Sequence, residues 1–393
     1  MKPLVYAICP RPPHPTRDGS SIRNFHLLRC LADDFRVRAF VLLPSREMRD
    51  ELPPGVEAER FPQAPRPLRR AAALAATAAG RAYSPFLYRS RPLAARLRTL
   101  ASREKPAWIV AHSYHVAPLA PDEFGPLWID FHNLDSELWR RMGESASSRL
   151  ARAFARSQAP RVSRVEANLV ARAAGISCVS EREASLLARL APDIPRLLVP
   201  NGVDLERYRF RSEPAAEEVV FYVGDLAWAP HAQGMAWFRR EVWPLIVRSR
   251  PSARAEVLGR GAAVAGNDEE RFAFLGEGAD TRPYWARAAV AVVPLQAAAG
   301  TRLKILEAAA CGVPVVSTSV GAEGLEFSDP GEIRIADDAE GFARAVTGLL
   351  ADRDARRRQA VAARRRVEQL YGWDSIGRTF SRELLRRRPE TEG

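Results

Sequence analysis

Two cations and a carboxylate stand close together in one apolar stretch, residues 294–324, which reads PLQAAAGTRLKILEAAACGVPVVSTSVGAEG. A short strand from Ala289 to Pro294 ends in a small-residue loop, and Gly300 and Thr301 then open a helix carrying Arg302, Lys304 and Glu307. A second strand, Pro314 to Ser317, follows at once. A strand, a glycine loop and a helix N-terminus form an anion site, because the first helical N–H groups lack partners and the dipole favours negative charge. Arg302 and Lys304 put positive charge where the dipole alone prefers acids, so a bound anion is expected to complete the first turn. Glu307 lies one turn beyond Lys304 on the same face. A carboxylate there accepts bonds from ribose hydroxyls while the cations hold a diphosphate. Lysine usage sharpens the reading: of 59 Lys and Arg residues only Lys2, Lys105 and Lys304 are lysines. The competing reading is a solvated charge pair on an ordinary amphipathic helix.

A second group of candidates lies in the first half. Asp18-Gly19-Ser20-Ser21 follows the first strand and opens a helix with Arg23 in its first turns. Only glycine lets backbone approach a ligand so closely, although Ser20 or Ser21 also suits a plain N-cap. His132, in WIDFHNLDSELW, ends the strand Leu127 to Phe131 at the carboxyl edge of a sheet, with Asp130 and Asp135 as candidate partners. His112 and His115 follow the preceding strand, but i, i+3 spacing without a third ligand makes a weak metal signal, and no metal is expected. No Walker loop and no Ser-His-Asp elbow is visible.

The elements that must position these residues alternate. Apolar runs at Leu4 to Ile8, Arg36 to Leu43, Trp108 to Ala111, Leu127 to Phe131, Ile176 to Val179 and Leu197 to Val199 read as strands. Helical patterns lie between them, including Ser21 to Ala32, Ser147 to Ala173 and Glu181 to Leu190. A second series begins at Val219 to Val223 and continues with Ala255 to Leu258, Phe272 to Leu275, Ala289 to Val293 and Pro314 to Ser317. This rhythm predicts an α/β fold of two doubly wound parallel sheets, whose ligands bind beyond the carboxyl ends of the strands. Asn201-Gly202 is a strong turn signal between the two series. The expected boundaries are residues 1–200 and 201–370. The Arg-rich run Ala351 to Leu370 reads as helix, and a terminal helix over 371–388 is expected to return to the first domain.

At 393 residues the chain is too long for one core and suits two. Cys9, Cys30, Cys178 and Cys311 lack metal-ligand spacing and read as reduced core thiols of a cytoplasmic protein. No stretch approaches the ~20 apolar residues of a transmembrane helix. The net charge of +12 invites a nucleic-acid reading, but the arginines are unevenly placed. From Phe61 to Leu100 stand Arg66, Arg69, Arg70, Arg81, Arg89, Arg91, Arg96 and Arg98, without one acid. Tyr83, Phe86, Leu87 and Tyr88 lie among them, which suits an interface with anionic lipid better than nucleic acid. Arginine bias on solvated helices is the plainer alternative.

Gly300, Glu307 and Cys311-Gly312-Val313-Pro314-Val315-Val316 resemble the C-terminal signature of retaining glycosyltransferases of family 4, which have the GT-B fold. PNGVD at 200–204 is similar to that family's linker into its second domain, and YVGDLAWAPHAQG at 222–234 to the first strand and loop of that domain. GTRLK is similar to a branch associated with exopolysaccharide synthesis. The resemblance implies two Rossmann-like domains facing across a cleft. It implies transfer of a sugar from a nucleotide diphosphate sugar to the hydroxyl of a glycan or lipid-linked glycan, with retention and without a metal or other cofactor. His132 would sit by the donor sugar and Gly19 and Ser20 by acceptor and donor phosphate, with Arg23 expected on the same loop. Glu307 matches the family's second glutamate, and charge placement, not the resemblance, assigns Arg302 and Lys304, beside Gly300 and Thr301, to the diphosphate. The implied location is the cytoplasm, peripherally on the inner face of the membrane. Two departures stand out. The first glutamate of the family's pair is replaced by Ala299, and the Arg and Lys usual after the second domain's first strand are absent, with Asp225 and Gln233 in the matching region. Arg302 and Lys304 are the cations left to meet the diphosphate. A GT-B nucleotide-sugar epimerase, a degenerate GT-B scaffold and a nucleic-acid binder are the alternatives.

Overall fold

A computed structural model describes residues 2–14, 19–44, 51–122, 124–145, 148–261, 271–278, 280–296 and 303–388. The chain divides into two compact units: Met1–Asn201 together with Trp373–Gly393, and Gly202–Gly372.

The first unit is built on seven strands: β1 (Leu4–Cys9), β2 (Arg36–Leu43), β3 (Val56–Pro62), β4 (Trp108–Ala111), β5 (Leu127–Asp130), β6 (Gly175–Cys178) and β7 (Arg196–Leu198). Their order is β3-β2-β1-β4-β5-β6-β7, and every neighbouring pair is parallel. Helices cover both faces, which is why β1, β4, β5 and β6 are almost wholly buried apolar runs rather than alternating ones. β3 escapes the apolar pattern. Its sequence VEAERFP is half-exposed at the sheet edge, and Glu59 there pairs with Arg96. The helix Trp373–Arg386 packs on the helix Gly19–Asp34. Trp373 stacks on His26 at 5.1 Å, and Trp108 Nε1 donates to Leu384 O at 2.8 Å.

The second unit repeats the architecture with β8 (Val219–Val223), β9 (Arg254–Leu258), β10 (Phe272–Gly276), β11 (Val290–Val293), β12 (Val315–Ser317) and β13 (Arg334–Ile335). The order is β10-β9-β8-β11-β12-β13, again parallel throughout. β13 has two residues, too few to leave a sequence pattern.

Each sheet reverses its winding once, between β1 and β4 and between β8 and β11. Beyond the carboxyl ends of such a strand pair the flanking loops diverge and leave a crevice. Among the described residues, no helix is long and apolar enough to cross a membrane. The four cysteines are buried thiols, and burial pushes Cys178 and Cys311 up to about 12.

Candidate functional site

In the second unit the switch point lies between Gly224, which follows β8, and the helix Leu303–Cys311, which follows β11. Gly300, Thr301, Arg302 and Ala299 lie outside the described residues. Lys304 and Glu307 lie within them, on that helix. The Lys304 stem leans back toward β8: its Nζ stands 4.2 Å from the Tyr222 ring centroid, a cation–π contact. Gly224 has its place because nothing larger fits. A β-carbon there would fall 2.7 Å from Lys304 Nζ, 2.7 Å from Tyr222 Oη and 2.9 Å from His231 Nδ1. On the other side Gly259, at φ +148°, lies so close that its own β-carbon would meet Gly224 O at 1.9 Å. Two glycines thus bring the ends of β8 and β9 together and leave backbone, not side chains, facing Lys304. His231 lies 3.1 Å through Nδ1 from Asp225 O, and its ring packs edge-on against Trp228 at 4.7 Å.

Glu307 is half-buried one turn along the helix. Its Oε2 accepts from Trp285 Nε1 at 3.2 Å and Thr281 Oγ1 at 3.4 Å. Tyr208 Oη lies 3.3 Å from the same threonine hydroxyl. Burial raises the Glu307 carboxyl, while the Trp285 and Tyr208 bonds and the Arg207 and Lys304 charges oppose the rise. The carboxylate is therefore held in one orientation by an indole N–H and a hydroxyl before any ligand arrives. Tyr222, Gly224, His231, Gly259, Thr281 and Trp285 were not singled out from sequence. The YVGDLAWAPHAQG segment held a signal for three of them, but their partners lie on other strands.

In the first unit, Gly19 and Ser20 open a helix at the carboxyl edge of the sheet, with Gly19 exposed and Ser20 half-buried. Arg23, expected on this loop facing a ligand, is instead buried at 1% exposure. Its Nε donates to Asp130 Oδ2 at 2.8 Å and its Nη2 to Asp130 Oδ1 at 2.6 Å. Its Nη1 donates to Pro200 O at 3.2 Å and Asn201 Oδ1 at 3.1 Å. All three nitrogens are spent inside the unit, so Arg23 serves Asp130 and not the loop. Burial alone would raise the Asp130 carboxyl, but the Arg23 guanidinium overrides it and holds it well below the usual range.

His132 follows at the strand end, mostly buried, with Nε2 3.2 Å from Asp130 Oδ2. Burial lowers its pKa, with the Asp130 carboxylate opposing. Of the two aspartates expected beside it, Asp130 takes the place and Asp135 does not. Asp135 Oδ2 lies 3.1 Å from His115 Nε2, whose Nδ1 is 2.7 Å from Ser113 Oγ. That serine oxygen also accepts from the His115 backbone N–H at 3.2 Å and closes a local turn, with Ser113 at φ 145°. His115 thus faces Asp135, while His112 Nδ1 lies 3.8 Å from Asp130 Oδ2. His112, Asp130 and His132 do come close enough for their ligand atoms to share an ion. However, Arg23 and Ser177 already occupy the carboxylate, the latter through Oγ at 2.6 Å. The guanidinium already places a positive charge beside that carboxylate.

The family model described as Glycosyltransferase Family 4 matches residues 17–207, and that described as Glycosyl transferases group 1 matches residues 217–352. An uncharacterised 44.6 kDa protein of the Klebsiella pneumoniae cps region is 23% identical over 138 residues, 32% of this chain and 36% of that protein. The alignment therefore spans about a third of that relative. Among solved structures, sucrose-phosphate synthase from Thermosynechococcus elongatus superposes with a TM-score of 0.72 at 18% identity, covering 98% of this chain and 99% of that one. HepE from Anabaena in complex with UDP superposes at 0.67 with 16% identity, covering 98% and 100%. Its complex with UDP-glucose gives 0.66 and 16%, covering 98% and 99%. At such identities these likenesses show the fold. Two glycosyltransferase models match in order over most of its length, so the chain is a family 4-like glycosyltransferase, and its architecture is that of GT-B structures.

Proposed function

We propose that this protein transfers a glycosyl group from a nucleotide diphosphate sugar to a hydroxyl of a glycan or lipid-linked glycan, with retention, in the synthesis of an exopolysaccharide or other cell-surface glycan. The observation that carries this reading is the position of Lys304 at the β8/β11 switch point, against the bare backbone of Gly224. A diphosphate lying along that backbone meets the ammonium and the helix that carries it. The cation missing after β8 in the sequence is thereby replaced from the opposite side of the crevice. The negative charge that develops as the glycosidic bond breaks is met by groups already in place. No metal is needed for that role. Glu307, one turn on, takes the ribose hydroxyls, and Arg302 adds to the phosphate side. His132 shapes the sugar site, with Gly19 and Ser20 toward acceptor and phosphate.

The UDP and UDP-glucose complexes of HepE support a nucleotide-sugar donor, and the cps-region relative supports a surface-glycan product. A cytoplasmic protein held at an anionic membrane surface suits a lipid-linked acceptor. Among the described residues, the most exposed large apolar side chains are Leu150 at 83%, Leu68 at 63% and Leu74 at 54%. All belong to the first unit, on the helices Arg66–Ala78 and Arg149–Arg172, which Arg161 Nη1 ties together by donating to Thr77 O at 2.8 Å.

A thermal-shift panel of UDP, GDP, ADP and their sugars tests the reading. One nucleoside diphosphate should stabilise the protein, and its sugar should be consumed only when an acceptor is present. Nucleoside diphosphate release with no glycosylated product would favour an epimerase. No stabilisation by any of them would leave a scaffold without a donor site.

A further inference from the structure

Lys304 brings one cation to the end of β8, and a diphosphate carries more charge than one ammonium offsets. An acid stands beside it: Asp225 follows Gly224 directly, in the loop that leads from β8 to the helix Ala229–Trp237. Left alone, its carboxylate would repel a diphosphate laid along Gly224. It is not left alone.

β8 and β9 pair in parallel, with Val223 opposite Leu258. Their hydrogen bonding runs on past both strand ends. Gly224 N donates to Leu258 O at 2.9 Å, and Leu226 N donates to Arg260 O at 2.8 Å. That register sets Arg260 opposite Asp225. Gly259 and Gly261 flank the arginine and keep the two loops in contact. A β-carbon on either would meet backbone of the β8 loop, Gly224 O at 1.9 Å and Ala227 N at 3.0 Å.

Arg260 Nε donates to Asp225 Oδ1 at 3.2 Å, and its Nη2 donates to Asp225 Oδ2. Asp225 Oδ1 also accepts from Ala227 N at 3.0 Å, which holds the carboxylate in its own turn. The pair uses one edge of the guanidinium, and Nη1 has no hydrogen-bond partner among the described residues. The Arg260 side chain is 65% exposed and that of Asp225 36%, and an ion pair so open to water contributes little to folding. What the pair achieves is placement: a planar cation is held at a fixed angle beside the end of β8. In the sheet, β8 lies between β9 and β11. Lys304 therefore reaches the end of β8 from the β11 side, while Arg260 stands on the β9 side.

We propose that Arg260, oriented by Asp225, is the second cation of the donor site, and that its Nη1 binds the diphosphate on the side of Gly224 opposite Lys304. This rests on the reading above that lays the diphosphate along Gly224. It goes beyond that reading by naming the group that offsets the rest of the charge. Asp225 then serves as the anchor of that group and not as an obstacle to the anion.

Titration calorimetry with UDP, GDP and ADP on the full-length protein tests the proposal, because a free nucleoside diphosphate carries the full charge of the leaving group. Arg260→Gln should weaken the diphosphate that binds by ~10-fold, about one charge-assisted bond. The ligand-free melting temperature should not move, since the pair is exposed. Arg260→Gln should cost about as much again when it is introduced into Asp225→Asn, where no acid remains to be neutralised. No loss in that background would make Arg260 a mere screen for Asp225 and overturn the proposal. If Lys304→Ala weakens binding and Arg260→Gln does not, the diphosphate lies at Lys304 and only this inference falls. If neither variant changes the affinity, or if the wild type binds none of the three, the placement of the diphosphate along Gly224 falls and this inference with it.

Discussion

The ammonium of Lys304 occupies the space that any side chain at position 224 would need: a β-carbon on Gly224 falls 2.7 Å from Nζ. The two residues come from opposite sides of the second unit's switch point, one after β8 and one on the helix after β11. The proposed phosphate site needs both. Gly224→Ala should push the lysine aside or shift the backbone, because a contact under 3 Å cannot stand. Affinity for the nucleoside diphosphate identified by thermal shift should fall ~10-fold or more, the loss of about one charge-assisted bond. Titration calorimetry measures it directly.

Glu307→Gln keeps the shape and one acceptor for Trp285 Nε1 while removing the charge. If the carboxylate holds ribose, nucleoside diphosphate affinity should drop by ~1.5–3 kcal/mol, the worth of a hydrogen bond to a charged group. The ligand-free melting temperature should stay near that of the wild type. Unchanged affinity would remove Glu307 from the donor site.

Two carboxyls, Glu166 buried and Glu183 half-buried, give stability a definite pH dependence. Burial raises Glu166 and Glu183 from 4.5 to about 7. Glu166 Oε1 accepts from Ser136 N at 3.2 Å, at the start of the helix that follows His132. Between pH 4.5 and about 7 the folded state binds more protons at these groups than the unfolded chain does. Their contribution is therefore complete below that window and is lost as pH rises through it. Glu166→Gln should flatten the fall of the melting temperature across the window, measured by scanning calorimetry. An unchanged slope would mean that the group titrates as it does in the unfolded chain.

Leu68→Gln with Leu74→Gln should cut sedimentation with anionic vesicles and leave nucleotide binding untouched, since both leucines are exposed on the basic helix Arg66–Ala78. Each exposed apolar side chain inserted into the interface contributes ~1–2 kcal/mol, so the partition coefficient should fall about tenfold or more. Equal binding to neutral vesicles would contradict an electrostatic surface, leaving arginine bias as the explanation.

The parallel order of both sheets was legible because buried strands are short apolar runs between helical periods, and β2, β4 and β8 match their apolar runs residue for residue. β3 was not, because an edge strand carrying Glu57, Glu59 and Arg60 has no apolar run to read. Lys304 stood out by type, as a lysine in an arginine-rich chain. Its closeness to Gly224 and Tyr222 did not, since it depends on β8 and β11 being neighbours across an intervening β9 and β10. The burial of Arg23 was not legible for a related reason. Near a glycine at a helix start it looks like a ligand group, and its real partner, Asp130, is invisible until β1, β4 and β5 align. His132 and Asp130 were legible together, because a strand end puts residues two apart on one side.

The account stands most directly on Lys304→Ala, measured in steady-state kinetics with the donor that the thermal-shift panel identifies. Charge on the diphosphate grows as the glycosidic bond breaks, so the ammonium should bind the transition state more tightly than the intact donor. Losing it should cost ~2.7–4 kcal/mol of barrier, about 100- to 1,000-fold in kcat, by analogy with a deleted oxyanion donor, while KM changes far less. A rise in KM alone would make Lys304 a uniform binder. If neither constant moves, the diphosphate does not lie at the β8/β11 switch point and the placement of the site is wrong.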